Sequence, residues 1–93
     1  GRANCYIVNS YNSANEQIKR IKEFCYSKIE IGKMYITGPG ENTDTYYQLI
    51  QDIRNKSMDL LIMNIFTILG MSEKELNVII HLCRKNQITF VEI

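Results

Sequence analysis

Cys5-Tyr6-Ile7-Val8, inside the segment Asn4 to Asn9, is a short unbroken apolar run, the pattern of a strand buried on both faces. A different period follows it. Ala14, Ile18, Ile21 and Cys25 recur at helical spacing, and Ser13 with Glu16 three places later forms a capping-box signature ahead of them. Ile31 to Thr37 predicts a second, weaker strand, closed by Gly38-Pro39-Gly40, where proline removes a backbone donor and glycine permits a tight turn. The polar stretch Glu41-Asn42-Thr43-Asp44 leads into a helix with the stripe Tyr46, Leu49, Ile50 and Ile53, which Asn55-Lys56-Ser57 ends. Met58 to Ile65 is the strongest strand signal. Gly70 breaks the apolar run that continues from it, and Ser72 with Glu75 opens a third helix carrying Leu76, Ile79, Ile80 and Cys83. Arg84 and Lys85 suit its C-terminus, where the macrodipole favours cations. Ile88 to Ile93 is the last strand.

Strands that alternate with helices imply an α/β fold with right-handed crossovers. The expectation is three layers: a mostly parallel four-stranded sheet with helices on both faces. The runs around Cys5–Val8 and Leu60–Met63 are the most continuously apolar, so those two strands should be central. Residues 1–93 read as one domain, without an internal repeat, low-complexity tract or linker.

Composition narrows the function. The chain has 93 residues, 45% of them hydrophobic, and a formal net charge of +1. No stretch approaches the roughly 20 apolar residues of a membrane span, and no signal-peptide pattern opens the chain, so a cytoplasmic protein without a membrane partner is expected. A near-balanced charge argues against strong autonomous binding to DNA. The three cysteines, Cys5, Cys25 and Cys83, lack any C-x-x-C spacing and read as reduced core thiols. His81 is the single histidine, so no metal constellation is expected, nor any cofactor.

Phe66-Thr67-Ile68-Leu69-Gly70-Met71-Ser72, between a strand signal and a helix signal, resembles the Leu-Asp-Arg-Leu-Gly-Arg-Ser signature of the resolvase/invertase family of serine recombinases. Tyr6-Ile7-Val8-Asn9-Ser10 is similar to the family's Y-x-R-x-S motif, and Gln17 to Ile21 to its Gln-led first helix. Gly38-Pro39-Gly40 falls at its flexible loop, Tyr46 to Ile50 at the segment after that loop, and Met58–Ile62 and Ile88–Ile93 at its third and fourth strands. The resemblance implies a sheet order of 2-1-3-4 and makes Ser10 the counterpart of the nucleophile that attacks a phosphodiester.

Every charged residue of the motif chemistry is missing. Val8 stands for the first-motif arginine, Thr43 for the one after the flexible loop, Thr67 for the aspartate, and Ile68 and Met71 for the third-strand arginines. The spacing from Ser10 to Gln17 is also shorter than the family's. Losing one transition-state donor commonly costs about 10²–10³ in rate, roughly 3–4 kcal/mol. Of the remaining arginines, Arg2, Arg20, Arg54 and Arg84, only Arg2 and Arg20 are placed where an approach to the serine loop is conceivable.

The resemblance therefore implies a recombinase-like pseudoenzyme with an assembly or regulatory role in DNA recombination or a mobile element. It would lack the family's dimerisation helix and DNA-binding region, and would contact a protein partner or a second copy through the apolar Phe66–Met71 turn. Two other readings stay open. One is an active recombinase forming a phosphoseryl-DNA intermediate through Ser10. The other is an unrelated flavodoxin-like binding or signalling module, although Asp59 begins its strand, away from the edge where such folds place ligands. Ser10 itself, in Asn9-Ser10-Tyr11-Asn12-Ser13, also has the composition of an ordinary turn.

Overall fold

A computed structural model describes all of residues 1–93. The chain runs β1 (Arg2–Val8), α1 (Ala14–Cys25), β2 (Glu30–Thr37), α2 (Asp44–Arg54), β3 (Leu60–Met63), α3 (Ile65–Leu69), α4 (Glu73–Lys85), β4 (Thr89–Glu92). The sheet has the order β2-β1-β3-β4, and every neighbouring pair is parallel. The two most continuously apolar strands are the central ones, because both their faces are covered.

Alternation along β1 divides the core. Tyr6 and Val8 join Leu49, Ile53, Leu61, Ile79 and Leu82 under α2 and α4. Ala3, Cys5 and Ile7 join Ile62, Ile21 and Cys25 under α1. All three cysteines are buried and free. Burial, with Cys25 nearby, pushes the Cys5 thiol up to about 12, and burial raises Cys83 to about 11, so both stay protonated and inert at neutral pH.

Serine and threonine hydroxyls start the three long helices: Ser13 accepts from Glu16 N–H, Thr43 from Tyr46 N–H, and Ser72 from Glu75 N–H. The glutamate half of neither capping box closes. Ser13 N–H is taken by Asn12 Oδ1, and the Glu75 carboxylate accepts from Asn42 N–H at 2.9 Å, which ties the loop before α2 to α4.

The structure departs most from the sequence expectation at β1, at β3 and just after β3. β1 starts at Arg2, so Asn4 lies within the strand and is buried. β3 is only Leu60–Met63, because Asn64 Oδ1 accepts from Phe66 N–H and turns the chain into α3. The expected apolar turn after β3 is thus a short fourth helix. Such a capped turn satisfies backbone groups that a buried loop would leave unpaired.

β1 and β2 pair through a bulge: two steps on β1, Ala3 to Cys5, face three on β2, Ile31 to Met34. Asn4 fills the irregularity, its Oδ1 accepting from Lys33 N–H at 3.0 Å and its Nδ2 donating to the Tyr35 hydroxyl at 3.1 Å. Tyr35 Oη donates in turn to Asp52 Oδ2 at 2.6 Å, and Lys33 Nζ reaches the same oxygen at 2.8 Å. Burial pushes the Asp52 carboxyl up, but hydrogen bonds from Lys33, Tyr35 and Gln48 and the Lys33 charge outweigh it, and the pKa lies below its ordinary value. A depressed folded pKa means that this stabilisation is complete above the unfolded value of about 4 and is lost as pH falls through the folded one. Urea titrations at about pH 7 and about pH 3 should therefore show a smaller acid loss for Asp52→Asn than for the wild type. Equal losses would remove Asp52 from the account.

Candidate functional site

In an open parallel sheet, ligands bind beyond the strand C-termini where successive crossovers leave on opposite faces. Here that place lies between β1 and β3, since α1 packs on one face and α4 on the other. It holds the loop Asn9–Ser13, the start of α1, and α3.

Side chains from three elements lock this loop. Gln17 Nε2 donates to Val8 O at 2.9 Å and to Asn12 O at 3.0 Å. The Thr67 hydroxyl donates to Gln17 Oε1 at 2.5 Å and accepts from Val8 N–H at 2.9 Å. Asn9 adds two further ties: its N–H donates to Thr37 O, and its Oδ1 accepts from Ala14 N–H. Gln17 and Thr67 are both fully buried, so the crevice is closed by neutral side chains that satisfy one another.

Ser10 is exposed at the rim of this plug and its hydroxyl has no hydrogen-bond partner among the side chains. It lies close over Gly70, where a β-carbon would come within 3.2 Å of Ser10 Oγ and of Val8 Cγ1. Glycine is what lets the serine loop and the α3–α4 junction approach this closely.

No arginine is brought to Ser10. Arg2 begins β1, and Ser10 follows its far end, so the strand alone separates them by roughly 20 Å. The expectation that Arg2 could approach the serine loop is overturned by that geometry. Arg20 is exposed midway along α1, while Arg54 ends α2 and Arg84 ends α4 near its C-terminus, at the opposite edge of the sheet. Val8 and Thr67 are buried, and Ile68 and Met71 pack against the α2/α4 core. Thr43, the last position of the replaced set, is the N-cap of α2. An uncatalysed serine hydroxyl is a weak nucleophile, so this arrangement gives Ser10 neither a base nor a cation for a developing phosphorane.

α3 has a mixed surface. Ile65 is 39% exposed and Leu69 59%, and Tyr11, within the serine loop, is 69% exposed. No group of histidine, cysteine or carboxylate side chains is arranged to hold a metal ion, and no helix is long and apolar enough to cross a membrane.

Of these residues the sequence singled out Ser10, Val8, Thr67, Ile68 and Met71; the plug formed by Gln17, Thr67 and Asn12 was not anticipated. Its only sequence signal is a glutamine on the inward stripe of α1, one turn after the Ser13 cap. No family model matches the chain, and no curated protein or solved structure matches it either.

Proposed function

We propose that this chain is a resolvase/invertase-like module without strand-cleavage activity, which acts by protein contact in the assembly or regulation of a DNA recombination system. The observation that carries this reading is the state of the crevice: of the positions where the resemblance expects phosphate-binding charges, Val8 is buried, Ile68 and Met71 pack against the core and Thr43 caps α2, while Thr67, at the aspartate position, is buried as well. The strand order and the close pairing of the serine loop with Gly70 support the kinship. The same order begins flavodoxin-like binding modules, but a crevice plugged by Gln17 and Thr67 leaves such a ligand no room.

Apolar side chains on α3 are the better candidates for partner contact. Met71 and Ile68 turn toward the core, so the contact surface narrows to Ile65, Phe66 and Leu69 with Tyr11. A second copy or an intact recombinase subunit is the partner this reading calls for.

The test is cleavage and binding with a supercoiled plasmid carrying recombination sites. Wild type should form no covalent protein–DNA species, and Ser10→Ala should change stability by less than about 0.5 kcal/mol, as for an ordinary surface position. With a net charge of +1, duplex affinity should be no tighter than about 10⁻⁶ M at physiological salt, with a shallow salt dependence. A covalent adduct that disappears in Ser10→Ala would establish the active-recombinase reading instead. Light scattering of wild type beside Ile65→Ser, Leu69→Ser tests the contact surface; a wild type that stays monomeric and ignores an active recombinase would defeat it.

A further inference from the structure

At the edge of the sheet opposite Ser10, the turn from α1 to β2 holds a tyrosine in a conformation suited to glycine. Tyr26 has φ 39° and ψ −126°. Lys28 N–H donates to Cys25 O at 2.9 Å, so Tyr26 occupies the first central position of a turn of the II′ kind, where positive φ makes glycine the usual residue. A bulky side chain there is strained. Its own fold gives the ring nothing in return: Tyr26 is 83% exposed, belongs to neither core cluster and has no side-chain hydrogen bond or aromatic partner.

The ring stands between two concavities. One, of about 460 Å³, runs along the outer face of α1 and includes Lys19 and Lys22; the other, of about 560 Å³, includes Arg2 and Lys28. Lys22 lies one helical turn before Tyr26, and Lys19 a further three residues back, so the three follow one face over about 10 Å. None of these four cations is in an ion pair; the one salt bridge of the chain joins Lys33 and Asp52. Glu23, Glu30 and Asp59 share the concavities, and Asp59 is engaged by Arg2 N–H. Phe24, 48% exposed, adds a second ring near the same end of α1.

We propose that Tyr26, with Lys19 and Lys22 on one side and Lys28 on the other, is a stacking site for single-stranded nucleic acid. A ring flanked on both sides by free cations matches a ligand that alternates flat bases with phosphates. An acidic peptide offers the charge without the stacking partner, and in a duplex the bases are already stacked on one another. The three carboxylates keep the site weak and selective for a ligand that also uses the ring. This site is independent of the recombinase reading, because it lies away from the serine loop and needs none of its groups.

The experiment is fluorescence anisotropy with a labelled oligothymidylate of about ten nucleotides at low salt, beside thermal melts of the same proteins. Wild type and Tyr26→Phe should bind alike. Tyr26→Gly should bind at least about fivefold more weakly, the loss of one base–aromatic stack, while its melting temperature rises as the strain is relieved. Lys19→Gln with Lys22→Gln should flatten the salt dependence. The proposal is overturned if wild type does not bind the oligonucleotide, if Tyr26→Gly binds as well as wild type or melts lower, or if a duplex or a hexaglutamate peptide binds as tightly.

Discussion

Thr67→Val is expected to lower stability by about 2–4 kcal/mol, although the two side chains have nearly the same shape. Thr67 is fully buried and its hydroxyl serves two groups at once, accepting from Val8 N–H and donating to Gln17 Oε1. Valine would leave both unpaired, and each stranded buried polar group costs about 1–3 kcal/mol. A domain of this size has about 5–14 kcal/mol in total, so the loss would be a large share of it. Thr67→Ser keeps the hydroxyl and removes one methyl, for about 1 kcal/mol. Urea unfolding followed by circular dichroism separates the two: the valine midpoint should drop well below the serine midpoint at unchanged slope. A valine variant as stable as the serine one would mean that the plug contributes nothing.

The same bond joins α3 to α1 beside the serine loop and closes the crevice. The resemblance marked Thr67 only as a missing aspartate. Its actual partner, Gln17, lies fifty positions away in sequence, and only the tertiary approach of α3 to α1 joins them. That is the general reason for what was and was not legible. Unbroken apolar runs placed β1 and β3 at the centre, because burial on both faces removes the alternation that an exposed face imposes. Helical stripes placed Tyr46, Leu49, Ile50 and Ile53 inward, and all four are buried. Boundaries failed where a polar residue is buried for its hydrogen bonds: Asn4 looked like a strand end and Asn64 like strand interior, yet one bridges a bulge and the other caps a helix. Tyr26 was illegible for a different reason, since composition does not reveal a positive φ.

Gly32→Ala is expected to cost about 2–3 kcal/mol, at the upper end of the usual penalty for overpacking. A methyl placed on Gly32 would lie 2.5 Å from Asn4 Oδ1 and 2.5 Å from Arg2 Nε. Arg2 is exposed and long enough to swing aside, so its part of the clash is cheap. Asn4 has no such freedom, being buried and held by both Lys33 N–H and the Tyr35 hydroxyl. The methyl must therefore break the Asn4 bridge or push β2 away from β1 at the bulge. Asn4→Ala removes the obstructing oxygen and by itself costs about 1–2 kcal/mol through the lost hydrogen bonds. If the collision with Asn4 is what hurts, the double variant should be no less stable than Gly32→Ala alone, which is strong coupling between neighbours. Strictly additive losses in the cycle would instead place the cost of Gly32→Ala in the β2 backbone itself.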